Sequence, residues 1–273
     1  NQQRLRRYKT IYDKANIDKI KTEENIEIKD NWNTNAISPG TEFMSKLSKK
    51  IKNEIKNNEL YKSIKVYFSD STVPGEGEHK ILDFIKNNHL NGNIVIYGLD
   101  ADLIILSFVS HKNNIFLLRE SLEFGKPVLD KFLYLDIDNL KYFIVKDIQE
   151  KILMKDPTLL FNVDKLNSIL DDYIFISFLI GNDFLPHLQG FSLRENGLSI
   201  LLEKYTELYA IYEQNLVYKN NINWNFLKVY FTELKQMEND LLLKMSKKRK
   251  KFKLRRQYEN SYEQKTDLLN NYP

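Results

Sequence analysis

The chain has no cysteine among its 273 residues, so disulfides and cysteine-based metal centres are excluded, and the composition fits a reducing compartment. No apolar run approaches the roughly 18 residues needed to cross a bilayer, and no signal-peptide pattern opens the sequence. Repeats and heptad arrays are also missing. Glycine (9) and proline (6) are scarce, so the places where they cluster stand out. Apolar residues make up 42% of the chain, enough to bury a sizeable core as one large domain or as one domain with an appendage. The net charge of +4 permits an anionic partner without requiring one.

Glycine is concentrated beside acids. Val73-Pro74-Gly75-Glu76-Gly77-Glu78-His79-Lys80 sets two carboxylates two residues apart, just ahead of an apolar pattern (Ile81, Leu82, Phe84, Ile85) with helical spacing. This places Glu76 and Glu78 at a helix N-terminus, where the helix dipole favours ionised acids and glycine lets the backbone turn tightly. Capping accounts for one of them and leaves the second unexplained. Gly98-Leu99-Asp100-Ala101-Asp102 repeats the arrangement after a short apolar run, 93–97, that reads as a strand. A fifth acid, Asp183, follows the segment Tyr173–Ile180, which is apolar on all faces, in Gly181-Asn182-Asp183-Phe184-Leu185-Pro186-His187. A carboxylate next to a buried segment needs a partner, and a bound cation would supply one.

The remaining elements are read from periodicity. Residues 8–36 are polar and read as helical with a loose connection. Ile37-Ser38-Pro39-Gly40-Thr41 is a turn that starts a helix with the stripe Phe43, Leu47, Ile51, Ile55. Strands are expected at Ile64–Phe68 and Ile115–Leu118. Helices are expected around Ile137–Val145, around Asp164–Leu170, across 196–220 and from Trp224 onward. The pattern predicts an α/β layer with a largely parallel central sheet flanked by helices, extended C-terminally by a mainly helical part. In such sheets sites gather beyond the carboxyl ends of strands, where Asp100 falls.

Two basic stretches leave alternatives open. Asn1-Gln2-Gln3-Arg4-Leu5-Arg6-Arg7 suits either a phosphate cradle, through guanidinium forks and an amide donor, or a basic helix end in solvent. Lys247–Arg256 carries eight basic residues in ten and suits a nucleic-acid contact, a nuclear address or a solvated tail.

Taken in order, the Asn-Gln-Gln-Arg-Leu-Arg-Arg, Ile-Ser-Pro-Gly-Thr, Pro-Gly-Glu-Gly-Glu-His-Lys, Gly-Leu-Asp-Ala-Asp-Leu, Leu117-Leu118-Arg119-Glu120 and Gly-Asn-Asp-Phe-Leu-Pro-His motifs resemble the catalytic region of the Xrn family of 5′→3′ exoribonucleases. The resemblance covers most of 1–205 and weakens through about 245. More distantly, the acids resemble those of flap endonucleases and other PIN-like nucleases. It implies a nuclease domain over 1–205 with a helical extension over 206–273. It further implies that Glu76, Glu78, Asp100, Asp102 and Asp183 hold Mg²⁺, or Mn²⁺, and that Gln3, Arg6 and Arg7 grip the 5′-monophosphate of single-stranded RNA. His79 and His187 are expected to pack or to support the ligands. The family pattern also calls for two further Asp and a pocket Lys ahead of Gln3. The chain is therefore expected to be the central piece of a larger enzyme. A non-catalytic RNA-binding scaffold and a DNA flap nuclease are the competing expectations, and cytoplasm or nucleus stays open.

Overall fold

The computed structural model describes residues 2–27, 32–98, 100–123, 126–182, 185–219, 221–255 and 261–265. The chain forms two compact units, Asn1–Gly75 with Lys250–Pro273, and Glu76–Arg249. They are a different kind of division from the sequence boundary near 205, and each is described by itself.

In the first unit, the polar segment expected to be helical forms α1 (Gln2–Glu23). The Ser-Pro-Gly-Thr turn leads into α2 (Glu42–Asn57), whose N-cap, Thr41, accepts the Met44 N–H. Phe43 and Leu47 of the expected apolar stripe remain exposed, and Phe43 meets Trp32 edge-on with ring centroids 5.2 Å apart. Asp70 ties the following loop to α2: its carboxylate accepts from Ser48, from Lys52 Nζ at 2.6 Å and from the Thr72 N–H at 3.0 Å. The strand expected over Ile64–Phe68 is absent. That run is irregular and its side chains are exposed, because a β-favouring sequence becomes a strand only where another strand pairs with it.

The second unit holds a small mixed sheet. The strands β1 (Ile94–Tyr97), β2 (Ile115–Glu123) and β3 (Lys126–Asp136) lie in that order. β1 runs parallel to β2, with Ile94 opposite Ile115 and Tyr97 opposite Leu118. β2 runs antiparallel to β3, with Leu117 opposite Leu135. Of these two pairings only one is parallel, so the largely parallel central sheet expected from the sequence is not what the described residues form. The antiparallel partner was not anticipated. Lys126–Asp136 interleaves charged and apolar residues, and it becomes a strand by pairing with β2.

The helices of this unit are, in sequence, α3 (Gly77–Asn87), α4 (Asp102–Val109), α5 (Ile137–Lys155), α6 (Val163–Phe178), α7 (Gly197–Tyr212) and α8 (Trp224–Arg255), of which the last six residues are counted with the first unit. A two-stranded hairpin, β4 (Val217–Tyr218) with β5 (Asn221–Ile222), joins α7 to α8. Two hydrophobic cores result. One packs Ile85 of α3, Ile96, Leu103 and Phe108 of α4, Ile115 and Leu117 around the sheet. The other packs Ile148, Ile152, Tyr205, Tyr209, Phe226 and Tyr230 among the last four helices. α6 serves both, giving Leu170 and Ile174 to the first and Ile169 and Ile176 to the second. This double duty explains a segment that is apolar on every face.

Asp172 lies inside the second core, fully buried, on the same helix. Its carboxylate accepts from Tyr205 Oη at 2.6 Å, Asn215 Nδ2 at 2.9 Å and the Val217 N–H at 2.7 Å, so α6, α7 and β4 meet on one side chain. Burial outweighs these three donors and lifts its pKa to about 7.

Candidate functional site

Glu76 and Glu78 sit where the sequence places them. Gly75 adopts φ +102°, a left-handed conformation that suits glycine, and turns the chain into α3. Glu76 is the N-cap residue, yet its side chain makes no capping hydrogen bond, so capping does not account for it. Glu78 follows in the first turn, at the positive end of the helix dipole. It is half-buried over a small apolar cavity lined by Ile81, Ile85, Ile96 and Leu103.

The second acid pair lies beyond the carboxyl end of β1. The Gly98 N–H extends the ladder to Leu118 O at 3.0 Å. A side chain at Gly98 would place its Cβ 2.4 Å from Leu103 Cδ1, which would have to leave its buried position. Asp100 is exposed and accepts the Asp102 N–H at 3.2 Å, while Asp102 opens α4. Part of the work of Asp100 is therefore a local turn, a role the sequence reading did not assign.

The two pairs act on each other. The pKa of Glu78 is raised, first by burial and then by the negative charges of Asp100, Asp102 and Glu76, with His79 opposing. Four oxygen-bearing acids thus share one electrostatic neighbourhood, and a hard divalent cation is the ligand type that such donors suit. Among the described residues, however, no three acids or histidines are grouped closely enough to hold an ion unaided.

Asp183 lies outside the described residues. Gly181 has φ +84°, and a Cβ there would fall 2.6 Å from the His187 backbone nitrogen. Asn182 and Leu185 bond twice, the Asn182 N–H to Leu185 O at 3.0 Å and the Leu185 N–H to Asn182 Oδ1 at 2.8 Å. Gln3, Arg6 and Arg7 occupy one face of α1 by their i, i+3, i+4 spacing; their side chains lie outside the described set. His79 and His187 are both exposed.

Two polar features escaped the sequence reading. The Tyr97 hydroxyl donates to Glu120 across the β1–β2 pair, which lowers the Glu120 pKa and raises that of Tyr97. Asp172 is the other. Its signal was a pair of carboxylates, Asp171 and Asp172, directly ahead of the apolar run Tyr173–Ile180, but the partners of Asp172 lie 33 to 45 residues away in sequence.

Comparison with known proteins decides the kinship. Residues 1–121 match the family model described as the XRN 5′-3′ exonuclease N-terminus, and residues 163–272 match that of the Xrn1 helical domain. The chain belongs to the Xrn family. It is 34% identical to 5′-3′ exoribonuclease 1 of Schizosaccharomyces pombe over 261 residues, covering 88% of this chain and 19% of that protein. The human 5′-3′ exoribonuclease 1 is also 34% identical, over 76% of this chain and 13% of its own length. The 5′-3′ exoribonuclease 2 of Eremothecium gossypii is 30% identical, over 89% of this chain and 30% of its own length. The chain thus spans under a third of the length of each of these relatives.

Proposed function

We propose that this Xrn chain is the central part of a Mg²⁺-dependent 5′→3′ exoribonuclease that shortens 5′-monophosphorylated single-stranded RNA to mononucleotides. The observation that carries the reading is the convergence of charge on Glu78 from Glu76, Asp100 and Asp102, in a chain whose relatives are named 5′-3′ exoribonucleases. On this reading Glu76, Glu78, Asp100, Asp102 and Asp183 hold Mg²⁺, with Mn²⁺ as a substitute, alongside acids from outside residues 1–273. Bound there, the ions would supply an activated water and stabilise the leaving alkoxide.

The chain's own residues have distinct tasks. Glu78, partly withdrawn from water and facing three other acids, gains most from a divalent cation, because the cation removes the repulsion that otherwise favours its protonation. Gln3, Arg6 and Arg7 accept the 5′-phosphate through an amide and two guanidinium forks. A cap or a triphosphate exceeds what that pocket holds, which gives 5′-end selectivity and release of one nucleotide at a time.

The deciding experiment is decay of 5′-monophosphate against 5′-triphosphate RNA by the full-length protein, with and without Mg²⁺. Rapid, Mg²⁺-dependent loss of the monophosphate substrate alone is expected. Equal decay of both substrates would remove the pocket from the reading, and decay in EDTA would remove the metal.

A further inference from the structure

The basic stretch near the C-terminus has no role in the site above, and the structure gives it a definite form. Between Asp240 and Glu259 there are nine basic residues and no acid. The whole chain is only +4, so acids outnumber bases everywhere else taken together, and general lysine richness does not account for the run. Most of it lies on α8, a single helix of 32 residues that continues through Arg255. Favourable interaction with the helix dipole would explain cations in the last turn alone, whereas these begin three turns earlier at Lys244.

Their spacing is ordered. Lys244, Lys247, Lys248 and Lys251 follow an i, i+3, i+4, i+7 pattern that lines one face of the helix, and all four are exposed. Lys248 is paired with Glu195. Leu241 and Met245, on a neighbouring face, are partly buried, and Leu241 packs against the helical core. One side of this helix is therefore anchored while an adjacent stripe presents ammonium groups along about two turns, roughly 10 Å.

We propose that the Lys244–Lys247–Lys251 stripe of α8 is a second RNA-binding surface that contacts phosphates of the single-stranded RNA substrate without reading its sequence. The inference rests on the exoribonuclease reading for the identity of the polyanion. Its physical basis is independent of any cleavage chemistry: lysines spaced along a rigid helix neutralise phosphates and release condensed counterions, at a log–log salt slope of about 0.7 per contact on single strands.

The test measures binding of a 5′-monophosphorylated single-stranded RNA to the full-length protein in EDTA, where cleavage plays no part, across a series of salt concentrations. Lys244→Gln, Lys247→Gln and Lys251→Gln combined should make the salt slope shallower by about two. The same three positions changed to Arg should retain the slope. Lys49→Gln, Lys50→Gln and Lys56→Gln on α2, three exposed lysines, remove equal charge and should leave it nearly unchanged. Should the triple glutamine variant unfold, Lys251→Gln alone should lower the slope by about 0.7.

An unchanged slope in the α8 variant overturns the proposal, as does an equal drop in the α2 control. An unchanged RNA slope with lost binding to phosphatidylserine vesicles overturns it in favour of a membrane. Because binding is read without metal, a wild-type protein that fails to degrade RNA would count against the proposed function and leave this result standing.

Discussion

Tyr205 donates its hydroxyl to the fully buried carboxylate of Asp172 at 2.6 Å, joining α7 to α6 in the middle of the helical core. With its pKa raised from 3.8 to about 7, Asp172 binds a proton more tightly in the folded state than in the unfolded one. Its contribution to stability is therefore fully present below about pH 4 and is lost as pH rises towards 7, by up to about 4 kcal/mol. Melting temperatures of the wild type should fall over that interval more steeply than those of Asp172→Asn, which has no proton to lose. Parallel curves would show that Asp172 does not titrate there. Tyr205→Phe, which strips one donor from the carboxylate, should cost about 1–3 kcal/mol at pH 7 in urea unfolding.

Substituting Gly181 tests the turn that leads to Asp183. Alanine there meets both a left-handed backbone, φ +84°, and a backbone nitrogen 2.6 Å from its Cβ. Neither can be relieved by rotating a side chain. Gly181→Ala should destabilise the chain by about 2 kcal/mol or more, read from denaturant midpoints, and a neutral result would mean that the turn rearranges freely.

Glu78→Gln removes one charge from the four-acid neighbourhood while preserving shape. In the full-length protein we expect RNA decay to fall by about a hundredfold or more, with RNA affinity retained. Mg²⁺ should also raise the melting temperature of the wild type and raise that of the variant less. Identical midpoints with and without Mg²⁺ in the wild type would argue that these acids hold no cation.

Arg6→Ala should reduce the preference for a 5′-monophosphate over a 5′-hydroxyl by about tenfold, the loss expected of one charge-assisted phosphate contact. Competition binding with the two RNAs measures this directly. An unchanged preference would place the 5′-end elsewhere.

The sequence was most legible where local chemistry is decisive. Thr41, the amphipathic spacing after it, and the glycines flanking Glu76 and Glu78 each announce a helix start within a few residues, and α2 and α3 begin where expected. The same holds for Asp100 beyond β1. Legibility ended where distant residues decide. Ile64–Phe68 has the composition of a strand and finds no strand partner, whereas Lys126–Asp136 has a poorer composition and pairs with β2. The role of Asp172 was not legible either, because only the fold brings Asn215 and Val217 to it.

Because α6 lends Leu170 and Ile174 to the core around the sheet and Ile169 and Ile176 to the core among the helices, we expect the two cores to open together. Amide protons of β2 and α7 should accordingly exchange through the same rare global opening. Damage at Tyr205 would then be felt at the strand that leads to Asp100. The turn at Asp100 would then depend for its firmness on a helix that supplies none of the candidate ligands.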